Sequence, residues 1–231
     1  MNVDKKTLLE DSLLLVEQNF YFLHIGAFLG KLSKTKDLTN ESLFVVKKCS
    51  EDRAYYFNPD IIQELLNDAK NRRWDEISLF EYFVDFNAFR GICMAMVEAF
   101  RLENEFMEFM KERLGDEYEN FYDILSFIRN VLSHNTQAEF KLNSKDFDGT
   151  LKRIRRMKRN EKVSLHFLYA KQLPEIASPE DDYGLNLSID FGSLKEGMEF
   201  LSVISLWELF MVSELCFNLV LSFKKRYNIT Y

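Results

Sequence analysis

Long stretches of this chain run without proline or glycine while placing an apolar residue at every third or fourth position, and that combination dictates helices. Leu9, Leu13, Val16, Phe20, Leu23 and Ala27 fall on one stripe at these steps, so the spacing predicts an amphipathic helix from about Lys5 to Lys31. Only 3 prolines and 8 glycines punctuate the 231 residues. A many-turned β sandwich needs far more breakers and is excluded. With 47% apolar and 29% charged residues the chain can bury a sizeable core, read as a single domain over 1–231. Its 22 phenylalanines and 10 tyrosines are assigned to that core and to a dimer face.

The pattern continues in segments. Ser33 to Phe57 is polar and irregular, with a short helix expected at Glu41–Lys48, and Asn58-Pro59-Asp60 marks a helix start running to about Lys70. Ser78-x-x-Glu81 has the form of a capping box and opens the longest periodic run, which Gly115 ends. The next helix is expected from Glu117 to about His134 on Phe121, Ile124, Leu125, Ile128, Val131 and Leu132. Ser193-x-x-Glu196 is a second capping box, predicted to open the last helix through to about Arg226. Between these helices the period changes to two: Val163–Ala170 and Leu185–Phe191 alternate as strands do. The fold class expected is therefore mainly α, a helical bundle with a small β-hairpin insertion (about 149–191) before the last helix. A basic and β segment, 140–192, forms that insertion.

Charge and cysteine usage narrow the function classes. The net charge of −7 excludes a generic polyanion binder, so any nucleic-acid contact must come from a local patch. Cys49, Cys93 and Cys216 are scattered within apolar stretches and read as buried thiols of a reducing cytoplasm. The apolar run Leu201–Phe223 is long enough to span a bilayer, but Glu208, Glu214 and Asn218 sit inside it. Each central carboxylate costs about 2.5–3 kcal/mol, against about 0.3–0.6 kcal/mol gained per Leu, Ile, Val or Phe. A core helix and no membrane partner are expected, with cytoplasmic localisation.

Neither common phosphate-binding glycine loop is written here, no histidine completes an E-x-x-H or H-E-x-x-H, and no G-x-S-x-G elbow offers a nucleophile. No metal site and no cofactor are expected. What remains is one helix end, Arg129-Asn130-Val131-Leu132-Ser133-His134, in which a polar pair, an apolar pair and a second polar pair close an otherwise apolar helix. Histidine titrates near neutrality and can act as general base or acid, while arginine offers an always-charged fork for a phosphate. Asn130 and His134, four apart, share one helix face. The structural alternative is a polar C-terminal cap, where cations are favoured anyway.

This helix end resembles the signature of the HEPN superfamily (higher eukaryotes and prokaryotes nucleotide-binding domains): an Arg, a polar residue, and a His after four to six positions. The order of long helices around it also fits an up-and-down HEPN-like bundle. The resemblance implies a homodimer with a composite site, and metal-independent RNA cleavage by 2′-OH attack, leaving 2′,3′-cyclic phosphate and 5′-hydroxyl ends. In it Arg129 holds the scissile phosphate, His134 moves the proton and Asn130 supports both. A defence or toxin-type role, with an antitoxin or other protein partner, is further implied. The alternative within the same resemblance is a non-catalytic RNA- or protein-binding scaffold. Arg159-Asn160 to His166 repeats the spacing, but it runs from a basic stretch into an expected strand and is set aside.

Directly after the motif helix, Lys152, Arg153, Arg155, Arg156, Lys158, Arg159 and Lys162 oppose a single Glu161. The first six are candidate contacts to an RNA backbone; the equal alternative is a solvated arm balancing the acidic turn at Glu180–Asp182. His24 and His166 are read as ordinary packed or surface histidines. The carboxylates Glu81, Asp85, Glu98, Glu105 and Glu108 are read as a solvated helix face, from which one member can reach Arg129.

Overall fold

The computed structural model describes residues 5–35, 45–48, 54–57, 60–61, 64, 73–74, 77–102, 104–134, 140–174 and 184–229. The chain divides into two compact units, one of Met1–Phe20 with Phe89–Tyr231, the other of Tyr21–Ala88. The fold is mainly helical, with an antiparallel hairpin before the last helix, as the periodicities predict.

The elements run α1 (Lys5–Thr35), β1 (Val45–Lys48), β2 (Ala54–Phe57), β3 (Arg73–Trp74), β4 (Ile77–Ser78), α2 (Leu79–Leu102), α3 (Asn104–Leu114) and α4 (Tyr118–His134). They continue with α5 (Ser144–Arg156), β5 (Lys162–Leu168), α6 (Tyr169–Gln172), β6 (Gly184–Asp190), α7 (Phe200–Val203) and α8 (Leu206–Tyr227).

In the unit of Tyr21–Ala88, β1 pairs antiparallel with β2, Val45 opposite Phe57, and β3 with β4. This corrects the helix expected at Glu41–Lys48: its described part, Val45–Lys48, is a strand. The β-branched Val45-Val46 pair and the aromatic Tyr55-Tyr56-Phe57 suit a pleated surface, and pairing overrides the weak helical spacing. The helix expected from Asn58 to Lys70 lies largely outside the described residues. Within this unit α1 and α2 approach closely, because a Cβ on Gly26 would stand 2.1 Å from Val84 Cγ1.

The larger unit holds the motif helix. The run expected to continue unbroken to Leu114 is described as α2 and α3, with residue 103 outside the described residues. Gly115, at φ +55, turns the chain from α3 through a 3₁₀ turn into α4. Phe121, Ile124, Leu125, Phe127, Ile128, Val131 and Leu132 of α4 are all buried. Phe127 meets the rings of Phe191 and Phe200, while Phe106 and Phe109 of α3 meet Phe223 of α8 edge-on. Each fully buried ring or aliphatic chain of this kind contributes about 1.5–3 kcal/mol before entropic costs. Cys93 and Cys216 are buried free thiols, and burial pushes the Cys93 thiol up to about 12; Cys49 lies outside the described residues.

The hairpin β5–β6 pairs Lys162 with Asp190 through to Leu168 with Gly184, its apolar side chains facing inward. The last helix starts later than expected. Ser193 Oγ donates to the Asp190 carbonyl at 2.9 Å, so its hydroxyl closes the turn after β6 instead of capping a helix. Gly197, at φ +84, and the pairing of 197–200 with 140–142 then keep the chain non-helical. Another capping box opens α8: Ser205 Oγ accepts from the Glu208 amide, and Glu208 Oε2 accepts from the Ser205 amide at 2.7 Å. Helix α8 is long and apolar enough to cross a membrane by length and composition, and 56% of that apolar window is buried.

Candidate functional site

The polar edge of α4 carries the three motif residues. Arg129 and Asn130 are half-buried and His134, the final residue of the helix, is exposed. Near the helix end, where carbonyls lack intrahelical partners, the Leu132 carbonyl accepts from Arg90 Nε.

The next helix, α5, reaches the motif residues through Asp146. Asn130 Nδ2 donates to the Asp146 carbonyl at 3.3 Å, and its Oδ1 accepts from Arg129 Nη1 at 3.0 Å. His134 Nδ1 lies 3.0 Å from Asp146 Oδ1, and Asp146 Oδ2 accepts from the Asn143 amide at 2.8 Å. The Asp146 side chain is 0% exposed, that of His134 44%. A carboxylate oxygen accepts, so the Nδ1 facing it carries the proton and Nε2 presents its lone pair. A buried carboxylate beside one nitrogen of an exposed imidazole is an arrangement that suits a general base.

Asp146 is the candidate-site residue that the sequence pattern did not single out. Asn143-x-x-Asp146 has capping-box form, a legible sign of a helix start, but the dense charge that follows it dominates the local pattern. None of the α2 and α3 carboxylates supplies a described partner to Arg129. Glu98 pairs with Arg101 at 3.7 Å and Glu108 with Lys111 at 2.9 Å.

The basic run begins on a helix, with Lys152, Arg153, Arg155 and Arg156 in the last turns of α5, and continues through a turn at 157–158 to the start of β5. Phe147, Thr150 and Ile154 lie on one stripe and are buried, anchoring α5 against α4. Arg153 is ion-paired with Glu119 and Asp123 and stands over the Tyr122 ring at 4.7 Å; Arg159 pairs with Asp123 at 2.6 Å. Burial pushes the Asp123 carboxyl up while Arg153 and Arg159 draw it down. Burial also opposes the charge on Arg153, yet Asp123 and Glu119 hold its guanidinium above the usual arginine range. These opposing directions describe a charged pair kept in place against desolvation, with one carboxylate shared by two guanidiniums. Arg155 pairs with Glu161 at 2.7 Å, at the surface. Lys152, Arg156 and Lys158 are exposed and form no ion pair with described residues. Arg159 and His166, the second spacing match, serve separate structures: Arg159 locks onto α4, while His166 is exposed on β5. His24 is exposed on α1.

Arg129 and Asn130 line a pocket of about 180 Å³. With an oriented imidazole at the helix end, this edge can hold an anionic group and move a proton beside it. Comparison with protein-family models, with curated proteins and with solved structures finds no match to this chain.

Proposed function

We propose that the chain is a metal-independent endoribonuclease of HEPN type, acting as a homodimer with Arg129, Asn130 and His134 in its site. The observation that carries the reading is the 3.0 Å contact between His134 Nδ1 and the buried Asp146 carboxylate, which leaves Nε2 to act as base. His134 Nε2 takes the proton of a ribose 2′-OH, and the 2′ oxygen forms a bond to phosphorus as the bond from phosphorus to the 5′ oxygen breaks. The leaving 5′ oxygen takes a proton from the imidazolium of a second copy, giving a 2′,3′-cyclic phosphate and a 5′-hydroxyl. Arg129 stabilises the charge that grows on the phosphate oxygens, and Asn130 holds Arg129 in place. The exposed Lys152, Arg156 and Lys158 add a positive field for the RNA backbone.

A mixed pool of tRNA and single-stranded RNA, incubated with excess EDTA, tests this. Wild type should cut it and leave cyclic-phosphate ends. His134→Ala should lose on the order of 10²–10⁴-fold in rate, the span general acid–base catalysis supplies, while melting as wild type does. Undiminished cutting by the variant would remove His134 from the site. Intact RNA with a well-folded dimeric wild type would favour the non-catalytic scaffold.

A further inference from the structure

Two pockets adjoin beside the motif helix. The first, about 180 Å³, is bordered by Arg129, Asn130 and the hydroxyl-bearing Ser126 and Thr150. The second, about 340 Å³, is bordered by Lys111, Phe100 and Tyr118. Arg101, Tyr122 and Arg153 line both, so the two adjoin across these side chains and together make a track that includes Arg129.

The track is cationic throughout. Arg101, Arg129 and Arg153 stand against Asp123 in the first pocket, and Arg101, Lys111 and Arg153 against Glu119 in the second. The cations differ in how firmly they are held. Arg153 is fixed by Glu119, Asp123 and the Tyr122 ring. Arg101 pairs with Glu98 and Lys111 with Glu108, each three residues back along its own helix, with side chains 55% and 45% exposed, and Lys111 Nζ also stands over the Tyr118 ring at 5.9 Å. Such pairs contribute little, so an incoming phosphate can replace the carboxylate. The shared wall carries one planar stack: the Arg153 guanidinium lies over the half-buried Tyr122 ring, which meets the buried Phe100 edge-on at 5.6 Å. Cations beside a planar guanidinium–tyrosine stack are the chemistry that holds single-stranded nucleic acid, phosphates on the charges and a base against the planar groups.

We propose that this track binds the single-stranded RNA flanking the cut. One phosphate lies between Arg101 and Arg129, with the fixed Arg153 as the wall behind it, and the neighbouring nucleotide occupies the larger pocket beside Lys111. The choice of RNA rests on the ribonuclease reading. The track itself concerns binding and is tested without cleavage.

The probe is a short, fluorescently labelled 2′-O-methyl RNA, which has no 2′-OH to attack, compared with a blunt duplex of the same sequence by anisotropy. The single strand should bind tighter. Arg101→Gln and Lys111→Gln should each weaken it about 5–10-fold at low salt and flatten the log–log salt slope by about 0.7, as expected when one phosphate is no longer neutralised. Arg101→Lys should retain most of the affinity, and Lys195→Gln, an exposed position that lines neither pocket, should change nothing. Wild-type affinity in both Gln variants, equal binding of duplex and single strand, or no binding by wild type would each overturn the track. Cleavage of unmodified RNA is scored in parallel. Cutting without track-dependent binding would sink the track and spare the nuclease reading; track-dependent binding without cutting would do the reverse.

Discussion

Helices α4 and α5 meet through charge at two places, and the two have opposite character. Near the start of α4, Asp123 accepts from both Arg153 and Arg159, Arg153 also reaches Glu119, and Arg159 also reaches Asn120. Asn120 in turn donates to the Ser164 carbonyl at 2.7 Å, tying the cluster to β5. Every group in that knot is engaged in holding elements together. At the other end of α4, Asp146 turns one carboxylate oxygen to its own helix start and the other to an imidazole that remains 44% exposed. There an imidazole is held at one nitrogen while the ring stays partly exposed. Dense charge alone therefore says little about function on this pair of helices; what separates strut from site is whether bonding capacity is left over.

The sharpest test of the contrast removes the shared carboxylate of the knot. Asp123→Ala leaves two part-buried guanidiniums without it and should cost about 3–5 kcal/mol of stability, measured by urea unfolding, because breaking a buried pair strands its partner. A loss below about 1 kcal/mol, the range of an exposed pair, would show that the knot is no strut. At the open end, Asp146→Asn keeps the shape but offers the imidazole an amide in place of a carboxylate. It should slow cleavage on the order of 10²-fold through misplacement of the base, with a smaller change in melting. Equal activity would detach Asp146 from the chemistry. The mildest change is Lys152→Gln with Arg156→Gln, on the exposed face of α5. Affinity for RNA should fall a few-fold, and its salt slope should flatten by about 0.7 for each phosphate left without its cation. Unchanged binding would leave the basic helix purely architectural.

Much of this arrangement is written in the sequence where periodicity is strong. The apolar stripe of α4, the alternation of β5 and β6 and the polar edge Arg129–His134 all stand where spacing puts them. Helix α5 is obscured because its five cations, four of them between 152 and 156, mask Phe147, Thr150 and Ile154, whose spacing marks its buried face. The start of α8 is ambiguous because Ser193-x-x-Glu196 and Ser205-x-x-Glu208 are equal as local patterns. Only the long-range pairing of 197–200 with 140–142 separates them. Strand β1 is hidden for a similar reason, since its partner β2 decides its state. Asp146 is readable as a helix-start residue, but its approach to His134 depends on how two helices pack, which no local pattern encodes.

The double duty of Asp146 bears on how this site would decay. Its carboxylate serves a backbone amide as well as the imidazole, so relaxed selection on catalysis does not release it. In diverging copies of this chain, replacements should accumulate first at His134 and Arg129, while position 146 stays acidic for the sake of the fold. A set of relatives in which 146 varies more freely than 134 would contradict that order. Where it holds, the aspartate is the mark that outlives the activity.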